Sequence, residues 1–463
     1  MLMNESVSKE EVLFKPGDHQ SSAFRIPALL YTKKKTLIAA ADARMTNQRD
    51  DPNEIKNVIR RSFDQGETWE PIQTTIEFLG DKGINGPAAI DCSLVQDQLN
   101  ERIWLLYSHS PGGIGAFNSW IGTGYDQQDR KIVYNRHYYP YVIANDGRVY
   151  TKDDETLTDY RVDTEGYVFK GERRLGTIDE KFNELKEEQL YEASTSYLQL
   201  IFSDDEGHSW SNPIELNNQV KEEWMSFIGT GPSRGIQLEH GRYQGRLLFP
   251  IYFMNKSGFF SCSVIYSDDH GQTWQRGASP NDGRPVSLSD ISTENLGEAL
   301  KKYELTESQV IEQLDGSLML YMRNHYGKGC VAKTISRDGG VSWGEITFEE
   351  TLINPVCQFS VLPYRVDNQQ GLFFLGPRST HNRENGVLLF SLDNGLTWSG
   401  EQLIEQGSFI YSAMTVLEHG MIGLLYEQQW SSDGLIRLIF KKIDLKEIRN
   451  EAGETPLFES LQL

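Results

Sequence analysis

The sequence is poor in positive charge. Lys and Arg number 45 against 66 Asp and Glu, a formal net charge of −21 at pH 7 over 463 residues. No long basic run interrupts this excess, which excludes nucleic acid and anionic membrane surfaces as partners. An anionic small substrate is admissible on one condition: a local cluster of Arg must oppose the overall field. Cysteine is scarce too. Cys92, Cys262, Cys330 and Cys357 are scattered without Cys-x-x-Cys spacing and read as small buried thiols. The histidines form no His-Glu-x-x-His pattern, so no metal and no cofactor is indicated. No apolar run reaches the roughly 18 residues of a membrane helix, so no membrane insertion is expected. Met1-Leu2-Met3-Asn4-Glu5 does not read as a secretory signal.

Against these absences stands one phrase repeated five times, Ser-x-Asp-x-Gly-x-Thr/Ser-Trp. It runs Ser62 to Trp69, Ser203 to Trp210, Ser267 to Trp274, Ser336 to Trp343 and Ser391 to Trp398. Gly permits the positive φ of a tight turn, Asp and Ser cap backbone N–H groups within it, and Trp offers an apolar face to bury beneath it. Apolar strand-forming runs precede the boxes, among them Leu198 to Phe202, Ser263 to Tyr266 and Val387 to Phe390. Each box is therefore expected to be a hairpin turn within one sheet unit, and such units in series build a radial β-propeller. The boxes are read as structural. Ser267-Asp268-Asp269-His270-Gly271 lacks the later Glu of a calcium loop. The spacings are 141, 64, 69 and 55 residues, and the first leaves room for an inserted module, a unit without a box, or both.

Taken in order, residues up to about 20 read as a lead-in. Phe24-Arg25-Ile26-Pro27 then opens a strand and sets Arg25 among apolar neighbours, where an Arg is not placed without a partner. Thr36 to Ala41 is a second strand, followed by Asp42-Ala43-Arg44 and a polar loop carrying Asp50 and Asp51. From about Pro111 to Ala193 the pattern breaks into glycine-rich loops and short aromatic strands. Gly112 to Gly115 and Gly122 to Gly124 are not phosphate cradles, because no Lys-Ser/Thr or helix follows. Asp179 to Glu192 reads as a charged amphipathic helix and Glu294 to Lys302 as a short one. The residues after Asp444 close the propeller or fray.

The pairing of Phe24-Arg25-Ile26-Pro27 with five Asp boxes resembles the bacterial sialidases (exo-α-sialidases, neuraminidases), and the resemblance covers nearly the whole chain. It implies an all-β, six-bladed propeller with the active site at its centre. Residues 1–110 and 194–463 would form the catalytic propeller, and 111–193 an inserted β-rich module at the rim of the site. It implies three carboxylate-binding arginines, matched by Arg25, Arg323 and Arg383, with Arg378 as competitor for the third. It implies a nucleophile, matched by Tyr411 in Phe409-Ile410-Tyr411-Ser412, and a partnering Glu, matched by Glu307, with Glu312 as fallback. The acid/base matches Asp50, with Asp51 one residue away. Arg44 and, more weakly, Asp91 resemble positions that contact the sugar near O4, and Asp91 serves equally as a turn cap.

The chemistry explains the choice of residues. Guanidinium forks bind a carboxylate bidentately and keep their charge, so three converging arginines let an acidic protein hold an acidic sugar. Sialidases depart from the usual two-carboxylate glycosidase by using a Tyr nucleophile. A neutral phenol avoids bringing a second anion beside the substrate's own carboxylate, and a Glu can take its proton. The resemblance thus implies a retaining exo-α-sialidase releasing terminal sialic acid through a sialyl-tyrosine intermediate. Its partners would be sialylated glycans and glycoproteins in α2,3 linkage, and its location secreted or at the bacterial cell surface. Two other outcomes share these residues or most of them. An intramolecular trans-sialidase or dehydro-forming sialidase would release 2,7-anhydro- or 2,3-dehydro-sialic acid, with the rim around Ile114 to Tyr125 deciding. A non-catalytic glycan-binding propeller would need the boxes but not the full Arg, Glu and Tyr set.

Overall fold

A computed structural model describes residues 10–286, 289–366, 369–398, 400–431 and 434–448. The architecture is all-β and propeller-like, and among the described residues the one α-helix is the four-residue turn Asn217–Val220. Antiparallel runs follow one another along the chain, innermost strand first. Ala23–Tyr31, Leu37–Arg44, Ile55–Ser62 and Gln73–Ile76 make the first. Ala88–Gln96, Ile103–Ser110, Tyr197–Ser203 and Ile214–Glu215 make the second, tied to the first by the parallel pair Ile55↔Ala88. Three more begin at Met225–Thr230, Leu305–Glu312 and Ser360–Val366. The last sheet, beginning at Ser412–Val416, takes its outer strand from the other end of the chain: Glu10–Phe14 pairs with Ile436–Asp444. Glu10–Phe14, within the stretch first read as a lead-in, is therefore an edge strand of that sheet. The tail expectation beyond residue 448 lies outside the described residues.

Every box joins the third strand of its run to the fourth, and its hydrogen bonds explain the phrase. In the first box the Ser62 hydroxyl donates to Asp64 (2.7 Å) and accepts from the Gly66 N–H (2.7 Å). Asp64 in turn accepts from the Thr68 N–H (2.9 Å) and hydroxyl (2.6 Å). Gly66 has φ +85°, and a Cβ there would meet the Phe440 ring at 2.3 Å. At Gly271, φ +88°, the clash would be with Trp104, also at 2.3 Å. Each aromatic ring belongs to a neighbouring sheet, so the turn is wound tightly and pressed against its neighbour, a place only Gly fits. Between sheets lie buried cores such as Trp104, Leu106 and Leu200 against Ile228, Phe249 and Ile265. Each such side chain contributes about 1.5–3 kcal/mol by leaving water.

The long first interval carries a separate seven-stranded sheet, from Lys131–Tyr134 to Tyr191–Glu192, between the second and third strands of its run. Asp179 to Glu192 is not a helix. Turns fill it, and its end pairs with Lys131–Tyr134. Leu190 is buried in the small core of this sheet and Phe182 stacks on Tyr138 (4.6 Å), so tertiary contacts override the local charge pattern. The expected helix near Glu294 is two 3₁₀ turns, Thr293–Asn295 and Glu298–Tyr303.

Candidate active site

The innermost strands deliver the site from their N-terminal ends. In Phe24-Arg25-Ile26-Pro27 the register shifts between Arg25 and Ala28, and Ile26 takes φ +59°. A β-branched residue rarely adopts that conformation, and a fully buried carboxylate holds it. Glu427 accepts the Ile26 N–H (2.7 Å) and the Arg25 Nε–H (2.7 Å). The bulge thereby aims Arg25 inward with its terminal nitrogens still available. Burial opposes the charge on Arg25, but attraction and hydrogen bonding from Glu427 outweigh it and raise the guanidinium above its usual value.

Tyr411, 6% exposed, stands at the convergence. Its hydroxyl donates to Glu307 and accepts from Arg323 Nη1 (3.1 Å), which also donates to Glu307 Oε2 (2.5 Å). The guanidinium carbons of Arg25 and Arg383 lie 5.4 and 5.6 Å from the centre of its ring. Arg383 forms no side-chain hydrogen bond or ion pair among the described residues. Its backbone carbonyl accepts the Phe409 N–H (3.0 Å), which fixes the loop. Three guanidinium groups thus crowd one phenol, an arrangement that folding alone gives no reason for and that a carboxylate ligand would relieve. Burial and the Glu307 charge push the Tyr411 hydroxyl well above its ordinary value, while Arg323 and Arg383 pull it down.

A second set of residues faces this cluster. Arg44, fully buried, donates through Nη1 to Asp50 (2.7 Å) and to the Gln48 carbonyl (2.7 Å), with Asp42 3.5 Å from Nη2. The Asp50 side chain is 70% exposed at the mouth. Desolvation by the surrounding wall would raise its carboxyl, but Arg44, Arg25 and Arg383 hold it below the usual range. Asp91 has φ +64°, and its backbone N–H donates to both oxygens of the buried Asp42 (3.2 and 3.2 Å), which Asn57 also contacts (3.1 Å). The Asp91 carboxyl accepts the Tyr252 hydroxyl (3.1 Å). Burial, then the charge of Asp42, drives Asp91 well above the carboxylate range, and burial lifts Asp42 to about 7.

The structure therefore brings Arg25, Arg44, Asp50, Asp91, Glu307, Arg323, Arg383 and Tyr411 into one mutually interacting set. The competitors go elsewhere. Asp51 accepts from Ser110 and is pushed up to about 6 by burial. Arg378 is tied to Glu401 (2.7 Å) and the Thr351 carbonyl. Glu312 lies at the far end of its strand, accepting the N–H groups of Glu239 and His240. Sequence reasoning missed Glu427, Asp42, Asn57 and Tyr252. The available signal for Glu427 was a carboxylate closing the apolar run Ile422 to Tyr426. All four cysteines are free and buried, and no group of metal-binding side chains occurs among the described residues.

Residues 182–424, more than half of the chain, match the BNR repeat-like domain family. The chain is 29% identical over 96% of its length to an anhydrosialidase of Macrobdella decora and 26% identical over 93% to a sialidase of Bacteroides fragilis. It spans 63% and 64% of the lengths of those two proteins. An intramolecular trans-sialidase from Ruminococcus gnavus, solved with oseltamivir carboxylate, superimposes with a TM-score of 0.78 at 26% identity, covering 97% of this chain and 99% of that one. Box-built sheets agree with the family match: the chain belongs to the BNR repeat-like domain family, and its likenesses include sialidases.

Proposed function

We propose that this protein is a retaining exo-α-sialidase, releasing terminal sialic acid from α2,3-sialylated glycans and glycoproteins outside the cell. The observation that carries the reading is Tyr411 hydrogen-bonded to Glu307 and Arg323 with Arg25 and Arg383 beside its ring. The architecture fits a six-bladed propeller, five blades with boxes and one closed by the N-terminal strand, with residues 111–193 as a module at the rim of the site.

In the first step Arg25, Arg323 and Arg383 hold the sugar carboxylate. The Tyr411 oxygen attacks the anomeric carbon as Glu307 takes the phenolic proton. The bond to the leaving oxygen breaks, and Asp50 gives that oxygen its proton. Before substrate arrives Asp50 is held below the usual range, which suits a base better than an acid. An incoming carboxylate would neutralise Arg25 and Arg383 and let it rise toward protonation. In the second step Asp50 takes a proton from water, which attacks the anomeric carbon, and Tyr411 leaves and regains its proton from Glu307. Double displacement gives retention.

A second reading replaces water with the sugar's own O7 hydroxyl, which gives 2,7-anhydro-sialic acid. The anhydrosialidase and intramolecular trans-sialidase likenesses favour it, and so does an aromatic wall. The exposed Phe117 packs on Phe260 (6.0 Å between ring centres), Phe260 on Tyr252 (5.8 Å), and Tyr252 bonds Asp91. Such a wall disfavours ordered water beside the intermediate. Proton NMR of the protein acting on α2,3-sialyllactose tests both. Free sialic acid appearing first as the α anomer supports hydrolysis, and an anhydro sugar supports the second reading. Failure to release lactose, or full turnover by Tyr411→Phe, overturns both.

A further inference from the structure

The innermost strands run in one direction, so what lies at their C-terminal ends is the opposite mouth of the structure. The strand carrying Arg25 ends at Leu29–Tyr31. The one carrying Asp91 ends at Val95 and Gln96, the one carrying Glu307 ends at Glu312, and the one after Tyr411 ends at Thr415 and Val416. All of these ends line a single cavity of about 400 Å³, remote from the tyrosine cluster.

Inside that cavity sits Arg234, on the short strand Ser233–Arg234 that pairs in parallel with Ser93 and Leu94. Its side chain makes no hydrogen bond and no ion pair among the described residues. The nearby acids are engaged. Glu239 binds Arg365 (2.9 Å), which also bonds His240 (2.6 Å), and Glu312 accepts the backbone N–H groups of Glu239 (2.7 Å) and His240 (2.9 Å). Burial pulls the guanidinium down to about 10, with Glu239 the single charge opposing it. The side chain is only partly buried, and its planar fork of five donors, without a protein partner, suits an oxyanion. Leu94, Ile236, Leu362 and Val416 add apolar surface beside the polar Gln96, Gln98 and Gln237.

We propose that this cavity is a second anion site, in which Arg234 takes a small oxyanion, a carboxylate or phosphate, at the face opposite the tyrosine cluster. It is independent of the sialidase reading. A bound oxyanion would supply the counter-charge the protein withholds. In a protein of net charge −21 such a ligand needs a local, built cation to be held at all.

Calorimetric titration of the full chain with sodium phosphate and, separately, sodium acetate, against sodium chloride at matched ionic strength, tests the proposal. The tyrosine-site arginines also take oxyanions, so the wild type is expected to show two classes of site and Arg234→Gln one. Turnover and KM of Arg234→Gln on a sialyl substrate are expected to equal wild type. Binding of phosphate alone or of acetate alone at the lost site identifies the source. In chloride, Arg234→Met is expected to melt at or above the wild-type temperature, because an unpaired charge is gone. A single class of site in the wild type, or two classes retained in Arg234→Gln, overturns the proposal. So does an Arg234→Met melting point clearly below wild type in chloride, which would make the guanidinium structural. If neither variant folds, the number of classes in the wild type decides.

Discussion

The Arg25–Glu427 pair gives the sharpest energetic test. The Glu427 side chain is fully buried and that of Arg25 is 13% exposed. Glu427→Gln keeps the shape but removes the charge, and sets an amide where the second oxygen now lies 3.4 Å from the Tyr411 N–H. Removing one partner of a buried pair costs about 3–5 kcal/mol, because the other charge is left uncompensated. A Gln oxygen can still accept from the Ile26 N–H, so the lower end, about 3 kcal/mol, is expected. Arg25→Met should cost a comparable amount by stranding Glu427. Removing both charges at once leaves neither stranded, so the double variant should be less destabilised than the sum, by at least about 2 kcal/mol. Urea unfolding of the wild type, both singles and the double variant measures this coupling. In Glu427→Gln the KM for a sialylated substrate should rise more than kcat falls, because Arg25 loses its aim rather than its charge. A coupling within about 0.5 kcal/mol of zero would refute the claim that Glu427 holds the bulge and Arg25 together.

Glu307→Gln should lower kcat by about 10²–10⁴-fold with little change in inhibitor affinity. Single-turnover kinetics together with titration of a carboxylated inhibitor checks this, and wild-type turnover would remove Glu307 from the reaction. Arg44→Gln withdraws the cation nearest Asp50, whose carboxyl should then titrate higher. The acid must be protonated to act, so the alkaline limb of kcat/KM should move to higher pH, read from a pH–rate profile. The Asp42 and Asp91 carboxyls are raised on folding, so the fold holds protons that the unfolded chain releases above about pH 4. Their contribution is full below that pH and is lost as pH rises through the raised values, which for Asp42 is about 7. Between pH 4.5 and 7.5 the wild type should lose more stability than Asp91→Asn, measured by urea unfolding at both pH values. The box aspartates act in the opposite sense. Asp64 is held at about 2, chiefly by the Thr68 hydroxyl, so its contribution is present above about pH 4 and is lost as pH falls to about 2. Asp64→Asn should blunt acid unfolding in that window, followed by circular dichroism.

What was legible in the sequence was what local chemistry dictates. Ser, Asp, Gly and Thr in one box bond to one another within eight residues, so the phrase announces its own turn wherever it occurs. Arg25, Arg323 and Arg383 were legible for a different reason, since each stands within a short phrase that a resemblance can match. Glu427 belongs to neither class. Its partners are 401 and 402 residues away in the chain, and nothing around it is unusual beyond one carboxylate after an apolar strand. The misread helix at Asp179 to Glu192 fails by the same logic. Its charges follow a helical period, but Leu190 and Phe182 are claimed by partners that periodicity cannot see. Arg234 is the instructive extreme. In the sequence it is one Arg in Gly-Pro-Ser-Arg-Gly. It becomes informative only when the fold places it in a cavity and gives every neighbouring acid to something else. Sequence shows which groups can react; an unpaired charge is a property of the whole molecule, and that is where an unassigned ligand has to be sought.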